Sequence, residues 1–194
     1  MIRIGIFGGT FNPIHLGHLR AALEIREGFR LDQVFLIPAA LPPHKPSGGI
    51  AAADDRLAMI DLAIAEDTGL MVSEVELGRP GPSYTIDTIQ HFHRTLPRDS
   101  RIFLVMGLDA FLEIDSWKSY DKLLSTVPFI VINRPGQPAT DAGDVRAAVE
   151  RYLHAKVSDA YRFVKSESGY TAPGRSTIYV HRVTSLEISA TRIR

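Results

Sequence analysis

Cysteine is absent from the 194 residues, so disulfides, thiolate nucleophiles and cysteine zinc sites are excluded. That absence fits a cytoplasmic protein. A bias of charge is missing too: 22 Lys and Arg balance 22 Asp and Glu, leaving no overall field to draw the chain to nucleic acid or an anionic membrane. Any basic site must therefore be local. No apolar run approaches the roughly 20 residues that span a bilayer, and Met1 leads directly into a strand-like run, which leaves no room for a signal peptide. The G-x-G-x-x-G of dinucleotide oxidoreductases is missing, as is the Walker A lysine loop. There is no internal repeat. With 45% hydrophobic and 23% charged residues, the composition is that of a soluble globular protein with a substantial core.

What is present is an alternation of strand-like and helix-like stretches. Short apolar runs of the parallel-sheet kind occur at residues 2–7, 34–37, 70–73, 102–106 and 129–132, with helical periodicity at 16–29, 53–66 and 85–96. This order predicts a doubly wound, Rossmann-like α/β fold with a parallel sheet. Ligands in such folds bind beyond the carboxyl ends of the strands, where Gly8, Pro38, Gly107 and Asn133 fall. Residues 38–49 read as a Pro/Gly-rich loop and 135–143 as another, followed by a helix at 144–156 and strands at 161–165 and 177–183. The Ser/Gly/Pro-rich stretch 166–176 reads as a surface loop. On this reading residues 1–194 form a single domain, of which 135–194 is the C-terminal part.

The chemistry concentrates behind the first strand, in Gly8-Gly9-Thr10-Phe11-Asn12-Pro13-Ile14-His15-Leu16-Gly17-His18. Glycines there let the backbone approach a ligand, and the helix that follows offers unpaired N–H groups and a positive dipole end to an anion. His15 and His18 are three apart, so one helical face can present both imidazoles to one group. A tight βα turn would need glycine anyway, and His15 could instead cap its own helix.

This stretch resembles the H-x-G-H nucleotidyltransferases. Ile188-Ser189-Ala190-Thr191-Arg192-Ile193-Arg194 is similar to that family's second phosphate motif, I-S-S-T-x-I-R, with Ala190 in place of a serine. Pro42-Pro43-His44-Lys45, Pro82-Ser83-Tyr84-Thr85-Ile86-Asp87-Thr88, and Gly107-Leu108-Asp109 through Trp117 resemble the bacterial nicotinate mononucleotide adenylyltransferases. The resemblance thus covers nearly the whole chain. It implies transfer of AMP from ATP to nicotinate mononucleotide, giving deamido-NAD and pyrophosphate, with Mg²⁺ carried by the ATP phosphates and not by protein ligands. Neither nucleic acid nor membrane is an expected partner, and self-association is left open. Relatives of this kind continue past the second motif, whereas this chain ends at Arg194. That leaves open a naturally short protein or one without its terminal helix.

The resemblance also implies roles. His18 stands against the α-phosphate and His15 supports the triphosphate; together they form the catalytic pair. The attacking phosphate oxygen is already anionic near neutral pH, so their expected work is positioning and charge stabilisation, not proton abstraction. Gly8, Gly9, Thr10 and Phe11 would supply backbone N–H groups, and Gly107 and Asp109 would meet the nucleotide, although Asp109 could equally cap the helix from Ala110 onward. Ser189, Thr191, Arg192 and Arg194 suit the β- and γ-phosphates, because hydroxyls and a guanidinium fork match phosphate oxygens. Ser189 alternatively starts a solvated helix. Lys45, Tyr84, Thr85, Trp117 and Arg134 are expected at the acceptor. Lys45 is either a phosphate contact or a solvated loop residue, and Trp117 either stacks on the pyridine ring or belongs to the core. The N–H groups of a helix starting near Thr85 suit the nicotinate carboxylate. Asn12 stands where the family commonly has aspartate; a neutral side chain can still cap the turn. His91 and His93 read as surface residues.

Three other readings compete. Phosphopantetheine or another small-acceptor adenylyltransferase would share the fold, but His15 and the regions of Tyr84, Thr85 and Trp117 disfavour it. Asn12 and Ala190 would permit a non-catalytic nucleotide-sensing module. A zinc hydrolase using His15, His18 and His44 lacks a carboxylate at metal-motif spacing.

Overall fold

The structure is a computed structural model that describes residues 1–41, 49–133, 142–184 and 186–194. Two compact units form, one from Met1–Ile102 with Leu186–Arg194, the other from Phe103–Ser185.

The first unit begins with β1 (Arg3–Gly9), α1 (Leu16–Gly28), β2 (Gln33–Pro38), α2 (Ala53–Ile64), β3 (Leu70–Val72) and α3 (Thr85–Thr95). Its strands lie parallel in the order β3-β2-β1, with Phe7 opposite Leu36 and Val34 opposite Leu70. Ile4, Ile6, Phe7, Val34, Leu36 and Ile37 are buried, which is why these strands read as apolar runs without alternation. In α3, Ile86, Ile89 and Phe92 recur at helical spacing on the buried side, and the Phe92 ring lies 5.1 Å from that of Phe35. After α2, the Asp67 carboxylate accepts from the N–H groups of Gly69 and Leu70 and from Arg26, so the turn into β3 is closed by one side chain. A Cβ at Gly69 would stand 2.0 Å from Arg26 Nη1, so a side chain there would push the Arg26 guanidinium out of this arrangement.

The second unit takes up β4 (Arg101–Gly107), whose first two residues group with the first unit. It continues through α4 (Leu108–Phe111), a 3₁₀ turn (Ile114–Ser116), α5 (Tyr120–Thr126), β5 (Phe129–Ile132), α6 (Ala142–Tyr152) running into a π-helical turn (Leu153–Val157), β6 (Arg162–Val164), β7 (Gly169–Thr171) and β8 (Ile178–His181). Strand order is β4-β5-β8-β7-β6. The first three are parallel, whereas β7 runs antiparallel to both neighbours. The expectation of a parallel sheet is thus corrected to a mixed one.

The same region corrects in part the reading of residues 166–176 as a surface loop, since Gly169–Thr171 form a strand within it. Ser168, in the left-handed region at φ 53, turns the chain, and β7 returns along β6 with Phe163 opposite Tyr170. Tyr170 is buried and donates from its hydroxyl to the Arg146 carbonyl, anchoring a hairpin whose flanking Ser, Gly and Pro gave it the composition of a loop. The second unit is followed by α7 (Ala190–Ile193), which returns to the first. Among the described residues, no helix is long and apolar enough to cross a membrane.

Candidate active site

Between β1 and α1 the chain makes a turn that its own side chains shape. A Cβ at Gly8 would meet nothing within 4 Å, so this exposed strand end faces open space. A Cβ at Gly9 would come within 3.0 Å of the Phe11 ring. Phe11 takes the left-handed backbone at φ 44, uncommon for an aromatic residue, and its ring is buried edge-on to Phe7 and, at 5.1 Å, to His18.

His15 stands at the N-cap of α1 with extended backbone and no capping bond from its side chain. Its carbonyl accepts from the N–H groups of His18 and Leu19, and its ring lies over that of His18, centroids 3.8 Å apart at 32°. The alternative reading of His15 as a side-chain cap therefore gives way to a stacked pair. Gly17 makes room for it, since a Cβ there would stand 3.1 Å from His15 Cε1 and Nδ1. The first turn of α1 holds no acidic residue, so the positive end of the helix is uncompensated there.

Two polar side chains brace this turn against a segment some forty positions on. The Asn12 amide donates to the Gly49 carbonyl at 2.9 Å and accepts from the Ala51 N–H at 3.1 Å. Asn12 therefore does not cap its own turn, as expected from the sequence, but ties the loop to the entry of α2. Arg56 reaches the same place from α2, donating from Nη1 to the Thr10 carbonyl at 2.8 Å and from Nε to that of Ala51 at 3.1 Å. It is only 1% exposed, and burial pulls its pKa below the ordinary arginine value.

The second motif arrives in the same unit. Ser189 caps α7, its hydroxyl accepting from the Arg192 N–H at 3.3 Å, and Ser189, Thr191, Arg192 and Arg194 are exposed. The Arg194 guanidinium donates to the Asn12 carbonyl, so the two motifs, 182 positions apart, meet.

At the start of α3, Tyr84 is the N-cap and Thr85 the first helical residue. Ser83 Oγ accepts from the N–H groups of Ala40 and Leu41, while Thr88 Oγ1 donates to Glu76 at 2.6 Å. Arg79 reaches Thr88 Oγ1 at 3.2 Å. Burial raises the pKa of Glu76, against the pull of hydrogen bonds from Thr88 and Ser83 and the charge of Arg79. This network joins the exit of β2 to the start of α3. Pro42, Pro43, His44 and Lys45, which follow that exit, lie outside the described residues, as does Arg134.

In the second unit, Gly107 ends β4 and is itself the N-cap of α4, which puts Asp109 inside the first turn and removes the capping alternative for it. Trp117 closes the 3₁₀ turn and is half-buried, so it is not a core tryptophan. The turn is held by Tyr152, whose hydroxyl donates to Asp115 Oδ1 at 2.5 Å and accepts from the Asp115 N–H at 3.1 Å. Burial and the Asp115 carboxylate push the Tyr152 hydroxyl up to about 12.

Arg56 escaped the sequence reading, although a signal exists: Arg56, Ile60 and Ile64 stand at i, i+4 and i+8 and are the buried residues of α2. An arginine on the apolar stripe marks a buried cation. Asn12 offered no such signal for its partners, which lie 37 and 39 positions away.

Residues 6–194 match the cytidylyltransferase-like family. Proteins named probable nicotinate-nucleotide adenylyltransferase from Desulfatibacillum aliphaticivorans and Geobacter sulfurreducens are 44% and 39% identical to this chain over its full length, covering 87% and 86% of their own. Among solved structures, Plasmodium falciparum nicotinic acid mononucleotide adenylyltransferase complexed with NaAD superposes with a TM-score of 0.70 over 99% of this chain and 82% of that one. At 17% identity, that likeness concerns the fold, and it bears out the Rossmann-like α/β expectation. The chain belongs to the cytidylyltransferase-like nucleotidyltransferases and, within them, to the nicotinate-nucleotide adenylyltransferases. Such enzymes commonly use a divalent metal. Among the described residues, no group of three or more His, Asp or Glu side chains could hold one.

Proposed function

We propose that this protein transfers AMP from ATP to nicotinate mononucleotide, releasing pyrophosphate and forming deamido-NAD. The reading rests above all on the stacked His15 and His18 at the acid-free start of α1, beside the open face of Gly8. The acceptor phosphate is the nucleophile and carries its own negative charge, so the protein has no proton to remove. What it must supply is alignment and positive potential where charge develops in transit. His18, wedged between the Phe11 edge and the His15 ring, is held in one orientation for that task at the α-phosphate. His15 supports the triphosphate, and the α1 N-terminus adds its dipole. Arg194, Ser189 and Thr191 serve the β- and γ-phosphates that depart. Mg²⁺, the metal this reading favours, neutralises charge on the triphosphate and pyrophosphate.

For the acceptor, the N–H groups at the start of α3 receive the nicotinate carboxylate, and Trp117 stacks on the ring; Lys45 and Arg134 take its phosphate. Asp109 and Gly107 serve the nucleotide. A carboxamide would bring donor hydrogens to donor N–H groups and no charge, so the acid is preferred over the amide. A cytoplasmic setting, where ATP is plentiful, goes with this function. The test is pyrophosphate release from ATP with nicotinate mononucleotide, nicotinamide mononucleotide and phosphopantetheine as acceptors. Turnover highest with the first is expected. Release with phosphopantetheine alone would move the chain to another acceptor class, and ATP binding without release to any acceptor would leave a sensing module.

A further inference from the structure

Arg56 is a fully charged side chain at ordinary pH, because guanidinium loses its proton only far above neutrality even when burial weakens its hold. It is 1% exposed and touches two backbone carbonyls, those of Thr10 and Ala51. Among the described residues no carboxylate pairs with it. A buried cation without a counter-ion is expensive to keep, and a hydrophobic residue would fill that place in the Ile60 and Ile64 stripe at less cost. The charge is bonded to Thr10, within the turn that runs from Gly8, open to space, to the histidine pair.

We infer that Arg56 is a positioning residue of the phosphate loop and that the bound nucleotide's phosphates are the counter-charge this buried guanidinium lacks. Two effects follow from its contacts. By holding the Thr10 carbonyl, Arg56 orients the Thr10–Phe11 peptide, and in a planar trans peptide the Phe11 N–H is thereby held pointing the opposite way. By holding the Ala51 carbonyl as well, it joins the loop to the same segment that Asn12 grips, so loop and α2 entry move as one body. The fixed charge then adds attraction for phosphate from behind, where little solvent screens it. The inference rests on the adenylyl-transfer reading but adds a residue to it.

The experiment compares the unmodified protein with Arg56→Lys and Arg56→Met, by steady-state kinetics and by the rise in melting temperature that pyrophosphate with Mg²⁺ produces. Arg56→Met should raise the KM for ATP and lower kcat, each by about tenfold or more, the scale of a lost charge-assisted contact. The KM for nicotinate mononucleotide should stay within about twofold on the same reasoning, since Arg56 acts on the triphosphate side. The pyrophosphate-induced rise should shrink in the Met variant and survive in part with Lys, which keeps the charge but cannot hold two carbonyls in a fork. A Met variant that melts earlier yet keeps the pyrophosphate-induced rise and the ATP KM would reduce Arg56 to a structural brace and overturn the inference. If Arg56→Met does not fold, Arg56→Lys decides: an unchanged KM for ATP and an unchanged pyrophosphate-induced rise there overturn it too. Should the unmodified protein show no turnover, the proposed function fails, while the pyrophosphate-induced rise still judges Arg56.

Discussion

The loop of residues 8–18 and the segment 188–194, the two stretches proposed to hold the nucleotide's phosphates, differ in their surroundings. The first is closed from behind by the Phe11 ring, the Asn12 amide and the Arg56 guanidinium, so its geometry is set before any ligand arrives. In the second, Ser189, Thr191, Arg192 and Arg194 are all exposed, on and around a helix of four residues, and Arg194, just past its end, donates to the Asn12 carbonyl. The contrast follows the demands of the reaction. At the α-phosphorus, geometry is changing and charge is building, so preorganised groups gain the most. The departing phosphates need positive charge within reach, which an exposed segment can supply.

The comparison can be broken at the rigid side first. His18→Ala should lower kcat by about two to three orders of magnitude, the cost of removing one transition-state donor, with a much smaller change in ATP affinity. Near-normal kcat would take His18 out of the α-phosphate site. Asn12→Asp should come next. It places a carboxylate oxygen against the Gly49 carbonyl where a donor stood, and leaving those acceptors facing each other costs about 1–3 kcal/mol of stability. Denaturant titration reads this directly, and an undiminished midpoint would show that the brace carries no load.

On the exposed side, Arg194→Lys should weaken kcat/KM for ATP by about tenfold, because lysine forms no bidentate fork. Unchanged constants would return Arg194 to a solvated role. Trp117→Ala lies in the second unit and sharpens the contrast differently, since it should raise the KM for nicotinate mononucleotide several-fold and leave ATP binding in place. An effect on ATP alone would contradict the ring-stacking role.

The smallest effect is expected at Glu76. Burial raises its pKa, so the unfolded chain ionises before the folded one. Its contribution to stability is therefore greatest below the ordinary carboxyl range and declines as pH rises toward the raised folded value. Glu76→Gln should flatten that decline in a series of melting curves across acid and neutral pH. A pH profile identical to that of the unmodified protein would place the titration elsewhere.

The strands at 34–37, 102–106 and 129–132 were legible within two residues at each end because both faces of a parallel strand are covered, which leaves an apolar run in the sequence. The histidine pair was legible because a strand, glycines and helix periodicity bracket it. Tyr170 was not, since a three-residue strand among Ser, Gly and Pro has too little pattern to outweigh its composition. Arg56, and the partners of Asn12, were missed for another reason. Their meaning lies in backbone groups of distant residues, and a carbonyl belongs to every residue alike, so no spacing of residue types reveals which one a side chain will find.

Asn12 has one more property, which concerns ageing. Asparagine in a protein slowly loses its amide when the backbone nitrogen of the next residue attacks the side-chain carbonyl, forming a cyclic imide that opens to a carboxylate. Here that product would convert the brace into the repulsive arrangement described for Asn12→Asp. The next residue is Pro13, whose nitrogen is fully substituted and carries no hydrogen to lose. The usual route is thereby closed. The Asn12 amide that helps Arg56 brace the phosphate loop thus stands beside a residue that blocks its usual route of decay, so the loop should retain its shape through long storage at neutral pH.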